Sequence, residues 1–333
     1  MSRKFSVIIP VYNREDEALE LLDSLKRQTV RNFEVIIVED GSTLPCKKIV
    51  EEAAADGLDV KYFYKDNEGR SIARNYGLER ASGDYFVFFD SDCVIPPDYF
   101  KNLRDSLDGK YLDCFGGPDA AHDSFSDTQK AINYSMTSFL TTGGIRGGKI
   151  QLEKFVPRTF NMGFSKKVYE KVGGFREMFS EDIDMSTRIR QAGFSIGLIY
   201  NPVWHKRRVD FKKFFRQVYV FGKSRITLKL LYPGSLKPVH TFPALFVLGC
   251  VALIVLGICV SPWFFLPLGL YLVAVFAGAL VKTKKVKIAA LAVPAAVIQL
   301  SGYGLGFIRD FFLKIILRRG RNIDEEIEMR RGK

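Results

Sequence analysis

Apolar residues along this chain follow three patterns, and each predicts a different kind of element. In the first two hundred positions, short, mostly apolar runs at residues 6–10, 33–38, 60–64 and 85–89 alternate with stretches of helical spacing. Ala18, Leu21, Leu22 and Leu25 predict a helix over 14–28, with Asn13 as its cap, and a second helix is expected over 71–81. Runs this apolar fit strands covered on both faces, so the alternation predicts an α/β fold with a doubly wound, mostly parallel sheet. A strand-like run at 196–204 closes this region.

Beyond it the pattern changes. Phe211, Phe214, Phe215, Val218 and Tyr219 fall on one helical face among basic residues, which predicts an amphipathic helix lying in a membrane interface. Residues 241–281 then run without a charged side chain, broken near Ser261-Pro262, and 288–307 form another apolar stretch. A spanning helix needs about 20 apolar residues, so these read as two spans and a third. Pro294 and Gly302, Gly304 and Gly306 leave that third segment free to bend or re-enter. The domain expectation is 1–205 catalytic, 206–239 interface, 240–308 membrane, and 309–333 a basic tail. Met1 leads directly into a strand pattern, with no signal peptide expected.

Charge sharpens this division. Residues 1–205 carry 27 Lys+Arg against 31 Asp+Glu, whereas residues 206–333 carry 22 against 6. Basic residues beside apolar spans point to membrane lipids on the cytoplasmic side rather than to nucleic acid. The five cysteines are scattered, form no C-x-x-C and exclude a zinc-ribbon framework; a reducing compartment is expected. Nothing in the sequence sets an oligomeric state.

The candidate chemistry lies where the strands end. In a parallel sheet, ligands bind beyond the carboxyl ends of the strands. Tyr12 and Asn13, Glu39 and Asp40, and Asp90 and Asp92 fall there. The D-S-D at 90–92 follows a strand too apolar to hold charge inside, so both carboxylates are expected to face a cleft as oxygen ligands for a hard divalent cation.

Six segments occur in order: S-V-I-I-P-V-Y-N-R, V-E-D-G-S, N-E-G-R-S-I-A-R-N-Y-G, G-D-Y-F-V-F-F-D-S-D, V-G-G-F and S-E-D-I-D. Together they closely resemble the inverting glycosyltransferases of family 2, which have the GT-A fold; the resemblance covers about residues 5–208. It implies a UDP- or GDP-sugar donor held by Pro10, Tyr12, Asn13, Glu39, Asp40, Asn67, Arg70, Arg74, Asp90, Ser91 and Asn161. Asp40 is then the nucleotide-base contact, with Glu39 standing where the family often has Asp. Arg70 and Arg74 suit phosphate or ribose. Asp92, with Asp90 and His205, is implied to hold Mn2+ or Mg2+. Val172-Gly-Gly-Phe175 resembles the acceptor loop, and Asp182, ahead of Glu181, matches the general base.

The expected enzyme is a metal-dependent, multi-pass transferase of the inner membrane with its catalytic domain in the cytoplasm. It would pass a sugar to a lipid-linked or growing saccharide acceptor in cell-surface polysaccharide synthesis. Transfer to polyprenyl phosphate is an alternative, as is a non-catalytic nucleotide-binding component of a polysaccharide export complex. The Gln-x-x-Arg-Trp motif of processive synthases is missing, and Val11-Tyr12-Asn13 stands where nucleotidyltransferases have a Gly-rich loop.

Overall fold

The structure is a computed structural model that describes residues 3–120, 122, 125–142, 155–206 and 210–320. The chain forms two compact units, Met1–His122 with Phe155–Lys206, and Asp123–Lys154 with Arg207–Lys333. The basic tail beyond Gly320, and Arg207 and Arg208 of the basic stretch, lie outside the described residues.

The first unit begins β1 (Phe5–Val11), α1 (Glu15–Lys26), β2 (Phe33–Asp40), α2 (Lys47–Ala55), β3 (Val60–Lys65), α3 (Arg70–Leu78) and β4 (Tyr85–Phe88). It continues with β5 (Cys93–Val94), α4 (Tyr99–Gly109), β6 (Cys114–Gly116) and β7 (Asp119–Ala120). In the second unit follow α5 (Asp127–Thr137) and α6 (Phe139–Thr142). The chain then returns to the first unit for β8 (Met162–Ser165), α7 (Lys166–Val172), α8 (Glu181–Gln191), β9 (Ile196–Leu198) and β10 (Val203–His205).

Seven strands form one sheet in the order β3-β2-β1-β4-β8-β6-β9, parallel except for β8, which runs against both its neighbours. Alternate residues feed two cores. Val7, Val35, Ile37 and Val87 pack on one face with α1 and α4, and Ile8, Ile36, Val38 and Phe88 on the other with Ala73 and Met185. Both faces are thus covered, which is why the strands contain so little polar residue. A second sheet of three short strands, β5-β10-β7, stands beside the first. The single run expected over 196–204 is therefore two strands in two sheets, divided at the exposed Tyr200 and at Pro202.

Two local expectations are corrected. Asn13 is not the cap of α1; Arg14 holds that position, and Asn13 takes a left-handed φ of 52°. Its Oδ1 instead accepts from Thr43 N at 2.8 Å and from the Thr43 hydroxyl, pinning the turn after β2. Glu39 and Asp40 are not beyond their strand but are its last two residues, paired with Tyr64 and Lys65 and buried.

The second unit adds α9 (Phe211–Leu231), α10 (Phe242–Cys259), α11 (Leu266–Thr283) and α12 (Val286–Asp310) to α5 and α6. Among the described residues, three helical segments, Pro238–Cys259, Pro262–Thr283 and Val286–Ile316, are long and apolar enough to cross a membrane. Within the apolar stripe of α9, Phe214 and Val218 are buried with Ile132 and Met136 of α5 and Ala295 of α12, while Phe211, Phe215 and Tyr219 stay partly exposed. Residues 127–142, which the sequence placed in the catalytic domain, belong here for the same reason, with Ala131 and Tyr134 packed on α11 and α12. The third apolar segment is continuous through Pro294. Its glycines serve packing: a Cβ at Gly306 would strike the Tyr219 carbonyl, and one at Gly302 would lie 2.5 Å from Val218 Cγ2.

Candidate active site

Five acids of the sequence motifs, Asp90, Asp92, Glu181, Asp182 and Asp184, lie in the first unit and are each held by an arginine. Arg74, 1% exposed, donates from Nη2 to Asp90 Oδ1 at 2.7 Å and from Nη1 to Glu181 Oε1 at 2.9 Å. One guanidinium therefore joins the end of β4 to the start of α8, with the Phe175 ring 5.7 Å from it. Arg70, more than half exposed, also reaches Glu181 at 2.8 Å. Burial works against charge on Glu181, but Arg70 and Arg74 outweigh it and hold its carboxyl below the usual range. A carboxylate so held is a poor base, and Glu181 reads as the anchor of the arginines.

Its neighbour differs. Asp182 follows the left-handed Ser180 in the first turn of α8, is partly open to solvent, and meets Arg158 Nη1 at 3.3 Å. Its other oxygen accepts from Ile183 N at 2.8 Å. Asp184 is fully buried and takes Arg188 Nε at 2.9 Å and Arg176 at 3.2 Å. Arg188 then donates to the Val172 and Gly174 carbonyls, and Asn75 exchanges two hydrogen bonds with the Phe175 backbone. The V-G-G-F loop is thus clamped from both α8 and α3.

The small sheet assembles a second group. Asp92 Oδ2 accepts from Arg14 at 2.7 Å, and Asp92 Oδ1 lies 3.1 Å from His205 Nε2. Asp119 Oδ2 is 3.7 Å from His205 Nδ1. Among the described residues, Asp92, Cys93 and His205 place a carboxylate oxygen, a thiol sulfur and an imidazole nitrogen within 4.8 Å of one another. These are donor types that a divalent cation takes, so the residues fit the implied metal. Asp90, the other expected metal ligand, pairs with Arg74.

Several of the expected donor contacts have partners within the protein. Asp40 spends its carboxylate on Lys65 Nζ at 2.9 Å, Glu68 N at 3.1 Å and Gly69 N at 2.9 Å, and its carbonyl accepts from Asn67 Nδ2 at 2.9 Å. Both residues brace the loop before α3. Glu39 accepts from Ser42 Oγ and from Cys46 N at 2.7 Å, which fixes the turn into α2. Asn161, with no exposed surface, accepts from Tyr99 Oη at 2.6 Å and donates both amide hydrogens, to the Asn201 and Pro118 carbonyls. Among the remaining expected contacts, Tyr12 is half exposed at the end of β1, Pro10 is half-buried, and Ser91 is buried between the two aspartates.

Four site residues escaped the sequence. Arg14 follows the Y-N of the first motif and Cys93 follows the D-S-D, so their places were signals that went unused. Asp119 and Arg158 carry no local signal, because sheet pairing alone brings them in.

Comparison with known proteins supplies a context. The family model described as Glycosyl transferase family 2 matches residues 6–173. An uncharacterized glycosyltransferase of Rickettsia bellii is 45% identical over 110 residues, 33% of this chain and 15% of its own length. The chain thus spans a small part of that relative. Glycosyltransferase AglE of Haloferax volcanii is 26% identical over 261 residues, covering 73% of this chain and 80% of the relative. Among solved structures, the mannosyltransferase PcManGT from Pyrobaculum calidifontis, in complex with GDP-Man and Mn2+, superposes with a TM-score of 0.60 at 18% identity, over 90% of this chain and 88% of its own. That likeness is one of fold.

Proposed function

The chain belongs to glycosyl transferase family 2, and from that premise we propose that it is a membrane-anchored, inverting enzyme using a nucleotide-diphosphate sugar. The observation that carries the reading is the Arg74 bridge, which binds the D-S-D end of β4 to the S-E-D start of α8. It ties the segment that carries Asp92 to the segment that carries Asp182, and supports a ligand site beyond the strand ends, where an open α/β sheet takes its ligands.

In this reading Asp92 and His205 would hold the donor's divalent cation, which when bound would supply positive charge against the departing diphosphate. The exposed guanidinium of Arg70 is suited to the same phosphates. Asp182 accepts the proton of the acceptor hydroxyl as that oxygen bonds to the anomeric carbon from the face opposite the diphosphate. The carbon–oxygen bond to the diphosphate breaks with its electron pair, so configuration inverts. Arg158 must yield Asp182 to the hydroxyl, and a bound acceptor gives it other oxygens to engage. GDP-Man and Mn2+, named for PcManGT, exemplify the donor and ion required.

The three apolar helices and the basic surplus of residues 206–333 support anchoring in an inner membrane with the catalytic unit in the cytoplasm. A lipid-linked or growing saccharide is the acceptor this location favours.

The test is nucleoside diphosphate release by the full chain in detergent, screened over nucleotide sugars with Mn2+ or Mg2+ and membrane lipid extract. Asp182→Asn should lower turnover by about 10²–10⁴-fold while donor affinity stays near the parent value. Donor binding without turnover across the whole screen contradicts transfer and favours a non-catalytic binding component.

A further inference from the structure

The inference that follows rests on Asp92 and His205 as cation ligands, and concerns what completes the set. β5 and β10 pair antiparallel with Cys93 directly opposite His205. Residues opposite each other in such a pair send their side chains to the same face, with Cβ atoms about 5 Å apart. The pairing register itself thus puts a thiol beside the imidazole. β7, parallel to β10 on its other side, brings Asp119 to within 3.7 Å of His205 Nδ1. A carboxylate there favours the proton on Nδ1 and leaves the Nε2 lone pair for a metal.

Phe160 closes the group. Its ring stacks on His205 with centroids 4.7 Å apart, and its carbonyl accepts a long contact from Cys93 Sγ at 3.6 Å. Cys93 is fully buried, so its sulfur faces these groups and not bulk water. Oxygen and nitrogen donors already sit 3.1 Å apart. Ligand atoms around a tetrahedral ion are about 3.5 Å apart, so a turn of the Cys93 side chain is the adjustment the third donor needs.

We propose that Cys93 is a third metal ligand, making Asp92, Cys93 and His205 an oxygen–sulfur–nitrogen site for thiophilic divalent cations. Zn2+ and Cd2+ bind there more tightly than Mn2+ or Mg2+, because a thiolate strengthens the hold on soft ions and does little for hard ones. As the sulfur–metal bond forms, the thiol proton passes to solvent. One site then serves two classes of ion: a hard ion that accompanies the donor, and a soft ion that excludes it. Zinc in small excess is therefore an inhibitor competing with the catalytic cation.

The test uses the chelator-treated full chain in detergent and the metals alone. Titration with Cd2+ should raise a thiolate-to-cadmium charge-transfer band that saturates near one equivalent, and Co2+ should show the matching thiolate band. Cys93→Ser should lose the band and weaken Cd2+ binding by about tenfold or more, while Mn2+ affinity, read by electron paramagnetic resonance of the free ion, changes by less than about threefold. Cys259, an exposed thiol, is the competing ligand, so Cys259→Ser should keep the band. A band of equal size in Cys93→Ser, or one lost with Cys259, overturns the proposal. If Cys93→Ser does not fold, a Co2+ spectrum of Cys259→Ser without a thiolate band overturns it equally. Mn2+-dependent sugar transfer without the band sinks this inference alone; the band without any transfer sinks the transferase reading alone.

Discussion

Arg14, Arg70, Arg74 and Arg158 each cancel an acid of the site: Asp92, Glu181, Asp90 with Glu181, and Asp182. Carboxylates crowded at one strand end repel one another and would resist folding without such partners. A buried acid away from the site obeys the same rule. Glu34, buried at the start of β2, accepts from Ser6 Oγ at 2.6 Å, Ser82 N at 2.6 Å and Lys61 Nζ at 2.8 Å. Burial raises its pKa, yet the bonds from Lys61, Ser6 and Ser82 prevail and bring it down to about 2. Because the folded-state value is depressed, its stabilisation is fully present above pH 4.5 and is lost as pH falls from 4.5 towards 2. Glu34→Gln should lower stability at pH 7 by on the order of 2 kcal/mol and flatten the acid limb of melting temperature against pH. An unchanged acid limb in thermal unfolding of the full chain would contradict this assignment.

At the scale of elements, the strands and helices of the first unit were legible because mostly apolar runs and helical spacing state which faces are buried. What failed was decided by partners distant in sequence. Asn13 has the chemistry of a helix cap, but Thr43 claims its side chain. The bonds of Asn161 to Tyr99 and of Asp40 to Gly69 likewise join residues far apart in sequence and leave no local pattern. The stripe of α9 is legible as a pattern; that Phe214 and Val218 pack on α5 and α12 depends on segments far upstream and downstream of it. Gly222 of α9 makes this packing testable, since a Cβ there would collide with the Tyr303 carbonyl of α12. Backbones that close admit no side chain between them. Gly222→Leu should cost about 2 kcal/mol or more and lower the unfolding temperature in detergent, whereas Gly249→Leu, where α10 leaves open space, should be near neutral. Equal effects would contradict close helix contact at Gly222.

At the scale of the whole molecule, the chain passes between its two units near residues 122, 154 and 206. The composition shift near 206 revealed one of these passages. The excursion through α5 and α6 was hidden because Ala131, Ile132, Tyr134 and Met136 read like any amphipathic helix. The account as a whole requires that ion, diphosphate and base share the strand end of the first unit. Anomalous diffraction at the manganese edge, from crystals of the full chain grown with Mn2+ and the donor found by the screen, tests this most directly. The account predicts a peak bonded to Asp92 and His205, with the diphosphate on the same ion and the anomeric carbon between it and Asp182. A manganese peak and diphosphate bound without Asp92, or a sugar turned away from Asp182, would contradict it.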